Sequence, residues 1–459
     1  MKSCLSFPDE LWYHMVEVSN LRRMTAFLLC FLLLAGCAPT TPSIFSEHTE
    51  PSANIPSISE PDIPDETVVS EPTIPPETTP EFPSVPTEPV ESEPTMPPTE
   101  PNIPPEPSVP EPMPEPEPEP EPEPIDPMTA YIQAMTLEER VGQLFLARCP
   151  AKNAVADIQT YHLGGYDLFA RDFEGETPAS VSKTIASYQS ASSIPMLIAV
   201  DEEGGKVTRV SQYPAFRTTP FLSPREIYEL GGLDAIRDNE AEKSQLLTSL
   251  GINVNLSPVC DITTDPNAFM YPRSLGESPE ITGQYVQLML ETMGQNGIAG
   301  VLKHFPGYGN NTDTHVAIAI DDRTLTELER CDLVPFQMGI DAGCGAIMVS
   351  HTFINAIDST LPATLSPAVN NYLRGTMGFD GVVITDDLVM QAITDLYGAE
   401  EAAVMAVLAG NDLLCSTEYK TQYNAVLKAV KSGRISENRI NESVRRILQW
   451  KCDMGLMEL

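Results

Sequence analysis

Between residues 300 and 322 lie two of the chain's six histidines, His304 and His315, in the company of Lys303 and Asp313. An imidazole is the side chain best suited to exchange a proton near neutral pH. The apolar run Ile298–Leu302 ends in the charged pair Lys303 and His304, and a loop containing Pro306, Gly307 and Gly309 carries Asp313 and His315. An apolar run, a polar tip and a Gly/Pro loop together describe a buried strand that delivers side chains at its own end. Taken alone, the stretch also fits a polar loop with a chance histidine, so its surroundings must decide.

Those surroundings are repetitive. Short apolar runs cover Gln143–Ala147, Gly165–Phe169, Met196–Val200, Ile252–Leu256, Ile298–Leu302, Ala346–Val349, Gly381–Ile384 and Asn411–Leu414. Helix-like stretches separate them, among them Pro178–Ser192, Asn239–Leu250, Glu280–Gln295, Leu325–Ala342, Ala399–Ala409 and Tyr419–Lys431, and Glu437–Cys452 would close the ring. Near-continuous apolar strands alternating with helices predict a parallel sheet covered on both faces. Eight repeats in residues 128–459 predict an α/β fold, a single (β/α)8 TIM-type barrel. In such a barrel chemistry belongs at the carboxyl ends of the strands. The polar residues there are Asp201, Glu202, Glu203 and Arg209 after the third run, and Asp261 and then Arg273 after the fourth. Lys303 and His304 follow the fifth, Ser350 and His351 the sixth, and Thr385, Asp386 and Asp387 the seventh. Adjacent strand residues point to opposite faces, so only one of Asp386 and Asp387 is expected to aim inward.

The rest of the chain is of a different kind. Of its 459 residues 44 are proline, roughly two thirds of them between Cys37 and Pro127, a segment without Lys or Arg and with about 21 acidic residues. Residues 38–127 therefore read as a disordered Pro/Glu-rich linker. Extended at ~3.1 Å per residue, it would reach on the order of 280 Å. Removing the linker's acids from the net charge of −38 leaves about −17 for everything else, and no basic patch suited to nucleic acid is visible. Residues 1–37 read as a targeting segment, with Arg22 and Arg23 before an apolar core too short to span a bilayer. Its end, Leu34-Ala35-Gly36-Cys37, resembles the lipobox of bacterial lipoproteins. That resemblance implies a lipid on Cys37 and an extracytoplasmic, membrane-attached enzyme. Cys149, Cys260, Cys331, Cys344, Cys415 and Cys452 show no zinc or redox spacing and are expected to be small core residues or free thiols.

Several motifs in the barrel segment occur in the order found in one enzyme family. They are Val200-Asp201-Glu202-Glu203-Gly204-Gly205, Gly251-Ile252-Asn253-Val254-Asn255 with Pro258-Val259-Cys260-Asp261, Pro272-Arg273-Ser274-Leu275-Gly276, Lys303-His304-Phe305-Pro306-Gly307, Asp313-Thr314-His315, and Gly381-Val382-Val383-Ile384-Thr385-Asp386-Asp387-Leu388. Residues 128–459 thus resemble glycoside hydrolase family 3, in its single-domain β-N-acetylglucosaminidase branch. The resemblance implies a retaining exo-β-N-acetylhexosaminidase that releases GlcNAc from peptidoglycan fragments or related glycans. Asp386 matches the nucleophile, and Asp313 with His315 matches the acid/base dyad. His315 would protonate the leaving oxygen and later deprotonate water, while Asp313 orients its ring and favours the imidazolium. Asp201, Arg209, Arg273, Lys303 and His304 match sugar-binding positions; for Arg209 and Arg273, ion pairs with Glu203 or another acid are the rival reading. His351 receives no role.

The match has departures. Tyr308 stands where the family commonly has a second histidine, Thr314 alone separates Asp313 from His315, and the loop is neutral at Asn310 and Asn311. Gly307–Asn311, rich in Gly and Asn, suggests a mobile loop that closes over substrate. Phosphorolysis, β-glucosidase action and non-catalytic wall binding are the alternative functions. No cofactor is required by this chemistry, no metal-ligand cluster is visible, and the protein is expected to act as a monomer.

Overall fold

The computed structural model describes residues 126–314 and 318–459. The targeting segment with Cys37, the linker through residue 125, and His315 lie outside the described residues. The folded part starts slightly before the expected 128: helix Pro127–Ala134 is capped by Asp126, which accepts from the Thr129 amide at 3.1 Å.

Eight parallel strands form the centre. They are β1 (Phe145–Arg148), β2 (Gly165–Leu168), β3 (Leu197–Val200), β4 (Val254–Asn255), β5 (Ala299–Phe305), β6 (Ala346–Val349), β7 (Val382–Thr385) and β8 (Leu414–Ser416). They pair in chain order, and β8 returns to β1 through the register Phe145↔Leu414. Between β7 and β8 the ring is joined by a bridge at Ile384↔Leu413 and by the Thr385 amide donating to the Leu413 carbonyl at 3.0 Å. The (β/α)8 barrel is therefore present and nearly closed. Each expected strand is found; four of the eight, β1, β5, β7 and β8, run one to three residues further toward the carboxyl end than expected. The displacement is physical. Arg148, Lys303 and His304 are polar but continue their strands and face the cavity, while Thr385 accepts the Cys415 amide at 3.0 Å and the Ser416 hydroxyl bonds Gln422 on the next helix.

Helix starts explain why the outer ring lies where it does. Thr177-Pro178, Ser223-Pro224, Ser278-Pro279 and Ser366-Pro367 each place a hydroxyl at the N-cap and proline in the first turn. The hydroxyl accepts an orphan amide, and proline has no amide to lose there. The closing helix Glu437–Asp453 buries Ile440, Val444, Ile447 and Leu448, a one-sided stripe with helical spacing. Two expectations change. The helix from Asn239 begins earlier, in Pro224–Leu250, with a break at Gly231 and Gly232. The single helix expected over Leu325–Ala342 is two, Leu325–Arg330 and Leu333–Asp341. The break falls at buried Asp332, which is drawn into an ion pair with Arg323 at 2.5 Å. Among the described residues no helix is long and apolar enough to cross a membrane.

Candidate active site

A cavity of about 680 Å³ opens at the carboxyl ends of the strands. Asp201, Arg209, Arg273, Lys303, His304, Asp313 and Asp386 all line it, so the structure gathers every sequence-predicted site residue that it describes.

One wall is a ladder of alternating charge from β3, β4 and β5. Arg273 grips Glu203 with two bonds, Nε to Oε2 at 3.0 Å and a terminal nitrogen to Oε1 at 2.7 Å. Lys303 Nζ lies 2.6 Å from Glu203 Oε1 and 2.6 Å from Asp201 Oδ1. Arg209 follows, 3.6 Å from Asp201 Oδ2. The ion-pair reading of the two arginines and the cavity-lining reading are thus both met. Burial pushes the Glu203 pKa up, but Arg273 and Lys303 outweigh it and hold the carboxyl well below its ordinary range. Burial likewise pulls Lys303 down, and Asp201 and Glu203 reverse that, leaving its pKa raised. Both groups stay charged without water because each has its counter-ion at contact.

The loop that carries this wall is braced by an acid that faces away from it. Glu202 is buried and accepts the amides of Arg209 and Val210 at 2.7 Å each, together with the Ser211 hydroxyl. Gly204 makes the turn at φ 101°, where a Cβ would collide with the Leu222 carbonyl.

His304 is fixed from the next strand. Asp261 Oδ2 lies 2.8 Å from His304 Nδ1 and accepts the His304 amide at 3.1 Å. A proton on Nδ1 leaves Nε2 to accept from Arg273 at 3.4 Å. The other oxygen of Asp261 takes the Tyr308 amide at 2.8 Å. Strand alternation would turn one of Lys303 and His304 outward, yet both line the cavity, because the pairing of β5 with β6 slips between Leu302 and Phe305. Gly307–Asn311 is anchored rather than loose. Beyond the Tyr308 amide, the buried Tyr308 hydroxyl bonds Thr314, and Asn310 Oδ1 accepts the Thr263 hydroxyl at 2.6 Å.

Facing this wall is the end of β7. Asp386 donates its amide to the Val349 carbonyl at 3.1 Å, and its Oδ1 accepts the Asp387 amide at 2.8 Å. The expectation that Asp387 points away fails. It also lines the cavity, because β7 ends at Thr385 and alternation no longer governs the next two residues. Its carboxylate is occupied by the Thr417 amide and hydroxyl, at 3.1 and 2.5 Å, and by the Val389 amide at 3.3 Å. His351, left without a role, is buried; Nδ1 meets Thr364 at 2.8 Å and Nε2 meets the Asp387 carbonyl at 3.0 Å, which steadies the segment that follows β7.

Sequence reasoning missed three cavity residues or supports. Asp261 was part of a motif without a function. Arg148 followed a run taken to stop at Ala147. Asp167 lay inside the run Gly165–Phe169, where a charge among apolar strand residues was itself the signal. Among the described residues, no group of three or more His, Cys, Asp or Glu side chains could hold a metal ion.

Comparison with known proteins agrees with this geometry. Residues 136–450 match the family model described as the N terminal domain of glycosyl hydrolase family 3. A beta-hexosaminidase of Nitrosomonas eutropha is 32% identical over 313 residues, covering 64% of this chain and 87% of that protein. The beta-hexosaminidase LpqI of Mycobacterium tuberculosis is 29% identical over 316 residues, covering 66% and 79%. Among solved structures, a family 3 β-N-acetylglucosaminidase from Paenibacillus sp. superposes with a TM-score of 0.66 at 35% identity, over 70% of this chain and 63% of that one. Mycobacterium tuberculosis LpqI superposes with a TM-score of 0.64 at 27% identity, over 71% and 96%. With its barrel, its ladder of charges and Asp386 at the seventh strand end, the chain belongs to glycosyl hydrolase family 3 and is a glycoside hydrolase.

Proposed function

We propose that the protein is a retaining exo-β-N-acetylhexosaminidase that removes terminal β-linked GlcNAc from peptidoglycan fragments or related glycans. The observation that carries this reading is Asp386 in the same cavity as the Asp201–Lys303–Glu203–Arg273 ladder. The ladder's hydrogen-bonding groups suit sugar hydroxyls, and a concave cavity of this size suits one terminal residue better than the middle of a chain. Asp386 attacks the anomeric carbon as the glycosidic C–O bond breaks, forming a glycosyl ester. The leaving oxygen takes its proton from His315, positioned by Asp313. Water then attacks the anomeric carbon of the glycosyl ester, gives its proton to His315, and the anomeric C–O bond to Asp386 breaks to free the carboxylate. The names of the hexosaminidase relatives support the substrate class.

Asp386→Ala is expected to lower kcat on the 4-nitrophenyl N-acetylglucosaminide by at least about 10⁴-fold. Azide should restore turnover with formation of the α-glycosyl azide. An active Asp386→Ala enzyme would remove the nucleophile assignment. His315→Ala should slow poor leaving groups far more than 4-nitrophenol. Sugar 1-phosphate among the products in phosphate buffer would replace hydrolysis by phosphorolysis. The end Ala35-Gly36-Cys37 supports a lipid anchor that, with the long linker, holds the enzyme outside the membrane. Cys37→Ser should then release it into the medium; a variant still bound to membranes sinks the anchor.

A further inference from the structure

One cavity residue is left unanswered by everything above. Asp167, in the middle of β2, is 2% exposed, and its Oδ1 has no hydrogen-bond partner. Among the described residues no cation reaches it at ion-pair distance. Its register neighbour on β1 is Arg148, whose guanidinium instead lies 4.1 Å from the centre of the Phe169 ring, and its neighbour on β3 is Ala199. A buried polar atom without a partner calls for an explanation. Asp167 lines the same cavity as Asp386, so a bound ligand can supply the missing bond.

The strand order says which part of a ligand. In the ring β7 stands opposite β3 and three strands from β2. Asp201 follows β3, and Asp167 pairs with Ala199, two residues deeper into the barrel. A pyranose with its anomeric carbon at Asp386 therefore turns its opposite edge, C4 with the neighbouring C6, toward β2 and β3. We propose that Asp167 is a specificity-determining residue that hydrogen-bonds the hydroxyl edge at C4 and C6 of the terminal sugar at the closed end of the cavity. Burial first, and then Asp201, push its pKa well above the ordinary carboxyl range. A carboxyl held toward its neutral form both donates and accepts, which suits a hydroxyl rather than an ammonium group. A sugar extended at that hydroxyl would leave the carboxyl unpartnered and find the barrel floor in its way, so the same contact enforces action at chain ends.

This inference rests on the hexosaminidase reading for its ligand, and the test separates the two. Calorimetry measures binding of GlcNAc and its 3-, 4- and 6-deoxy analogues to the full chain and to Asp167→Leu and Asp167→Asn. Wild type should bind GlcNAc about 10–100-fold tighter than the 4-deoxy or the 6-deoxy sugar. Asp167→Leu should reduce that ratio to within about threefold and leave the 3-deoxy ratio unchanged. Asp167→Asn, which keeps a donor and an acceptor, should retain most of the ratio. Replacing an unpartnered buried carboxyl by an apolar group of similar size should also keep or raise Tm. An Asp167→Leu protein that keeps the wild-type ratios overturns the proposal, as does one that loses Tm together with an unchanged ratio. If Asp167→Leu does not fold, Asp167→Ala is read by the same ratios. Hydrolysis is recorded in parallel. Discrimination without turnover refutes the hexosaminidase reading and leaves Asp167 standing; turnover with unchanged discrimination refutes Asp167 alone; a wild type that does not bind GlcNAc refutes both.

Discussion

Of the three lysines buried among the described residues, Lys303 and Lys451 stand at opposite ends of the barrel, and burial pulls on both while only one has carboxylates to reverse it. Lys303, at the carboxyl ends of the strands, touches Asp201 and Glu203 and has its pKa raised. Lys451, at the amino ends, donates to Gln143 Oε1 at 2.8 Å and to the Gly164 carbonyl at 3.1 Å, both neutral. Burial pulls its pKa from an ordinary 10.5 to about 7. Residue type and burial are the same; only the carboxylates differ. The difference separates an end built to keep charges in place around a ligand from an end where a long side chain fills space and bonds two acceptors.

Removing each lysine should break the comparison in a different manner. Lys303→Met leaves Asp201 and Glu203 without their shared cation. We expect kcat/KM to fall by about 10³-fold and stability by roughly 3–5 kcal/mol, the cost of a broken buried ion pair. Kinetics and urea denaturation measure both, and a loss of less than tenfold in kcat/KM would mean that the ladder does not hold the sugar. Because the folded pKa of Lys303 is raised, its contribution is fully present below the unfolded value and is lost only as pH climbs past it. Wild type should therefore show no Lys303-dependent change between pH 6 and 9.

Lys451 has the other sign. Its folded pKa lies below the unfolded one, so between about pH 7 and 10 the unfolded chain binds the extra proton. Stability from this group should rise with pH there, by up to about 1.4 kcal/mol per pH unit. The difference between wild type and Lys451→Met, from denaturation at several pH values, should show that slope, with activity per folded molecule unchanged; parallel curves would mean that Lys451 keeps its charge. The smallest effect is expected from Tyr308→Phe, which deletes the hydroxyl bonded to Thr314. It should cost about 1 kcal/mol in stability and a few-fold in kcat. Loss of more than about 100-fold would make the Tyr308 hydroxyl part of the chemistry rather than a support for the Asp313 loop.

Much of this molecule was legible because barrel strands are buried on both faces and so appear as apolar runs. Polar groups that complete those strands were harder to place. Lys303 and His304 read as a tip beyond the strand, when they are its last turns toward the cavity. Asp387 was turned outward by an alternation rule that stops applying at Thr385. The parallel pair Ile320–Asp321 with Phe353–Ile354 went unread because two-residue strands carry no period. The matched binding residues all reached the cavity, since family motifs mark strand ends. Asp261 and Asp167 did not announce a task, because one acts through His304 and the other is hidden inside an apolar run.

The run Asp201-Glu202-Glu203 carries a consequence for anyone comparing relatives of this chain. Its side chains leave the backbone in three directions, toward the ligand space, the Arg209–Ser211 backbone and Arg273 with Lys303. A relative that changed the first letter alone would lose a carboxylate that lines the cavity and leave Lys303 with Glu203 alone. One that changed the second would keep every ligand-facing group and lose the shape that aims them. Scoring the triplet as one signature merges three separate tasks, two of them joined through Lys303, so a relative can lose one of them and keep the rest of the motif.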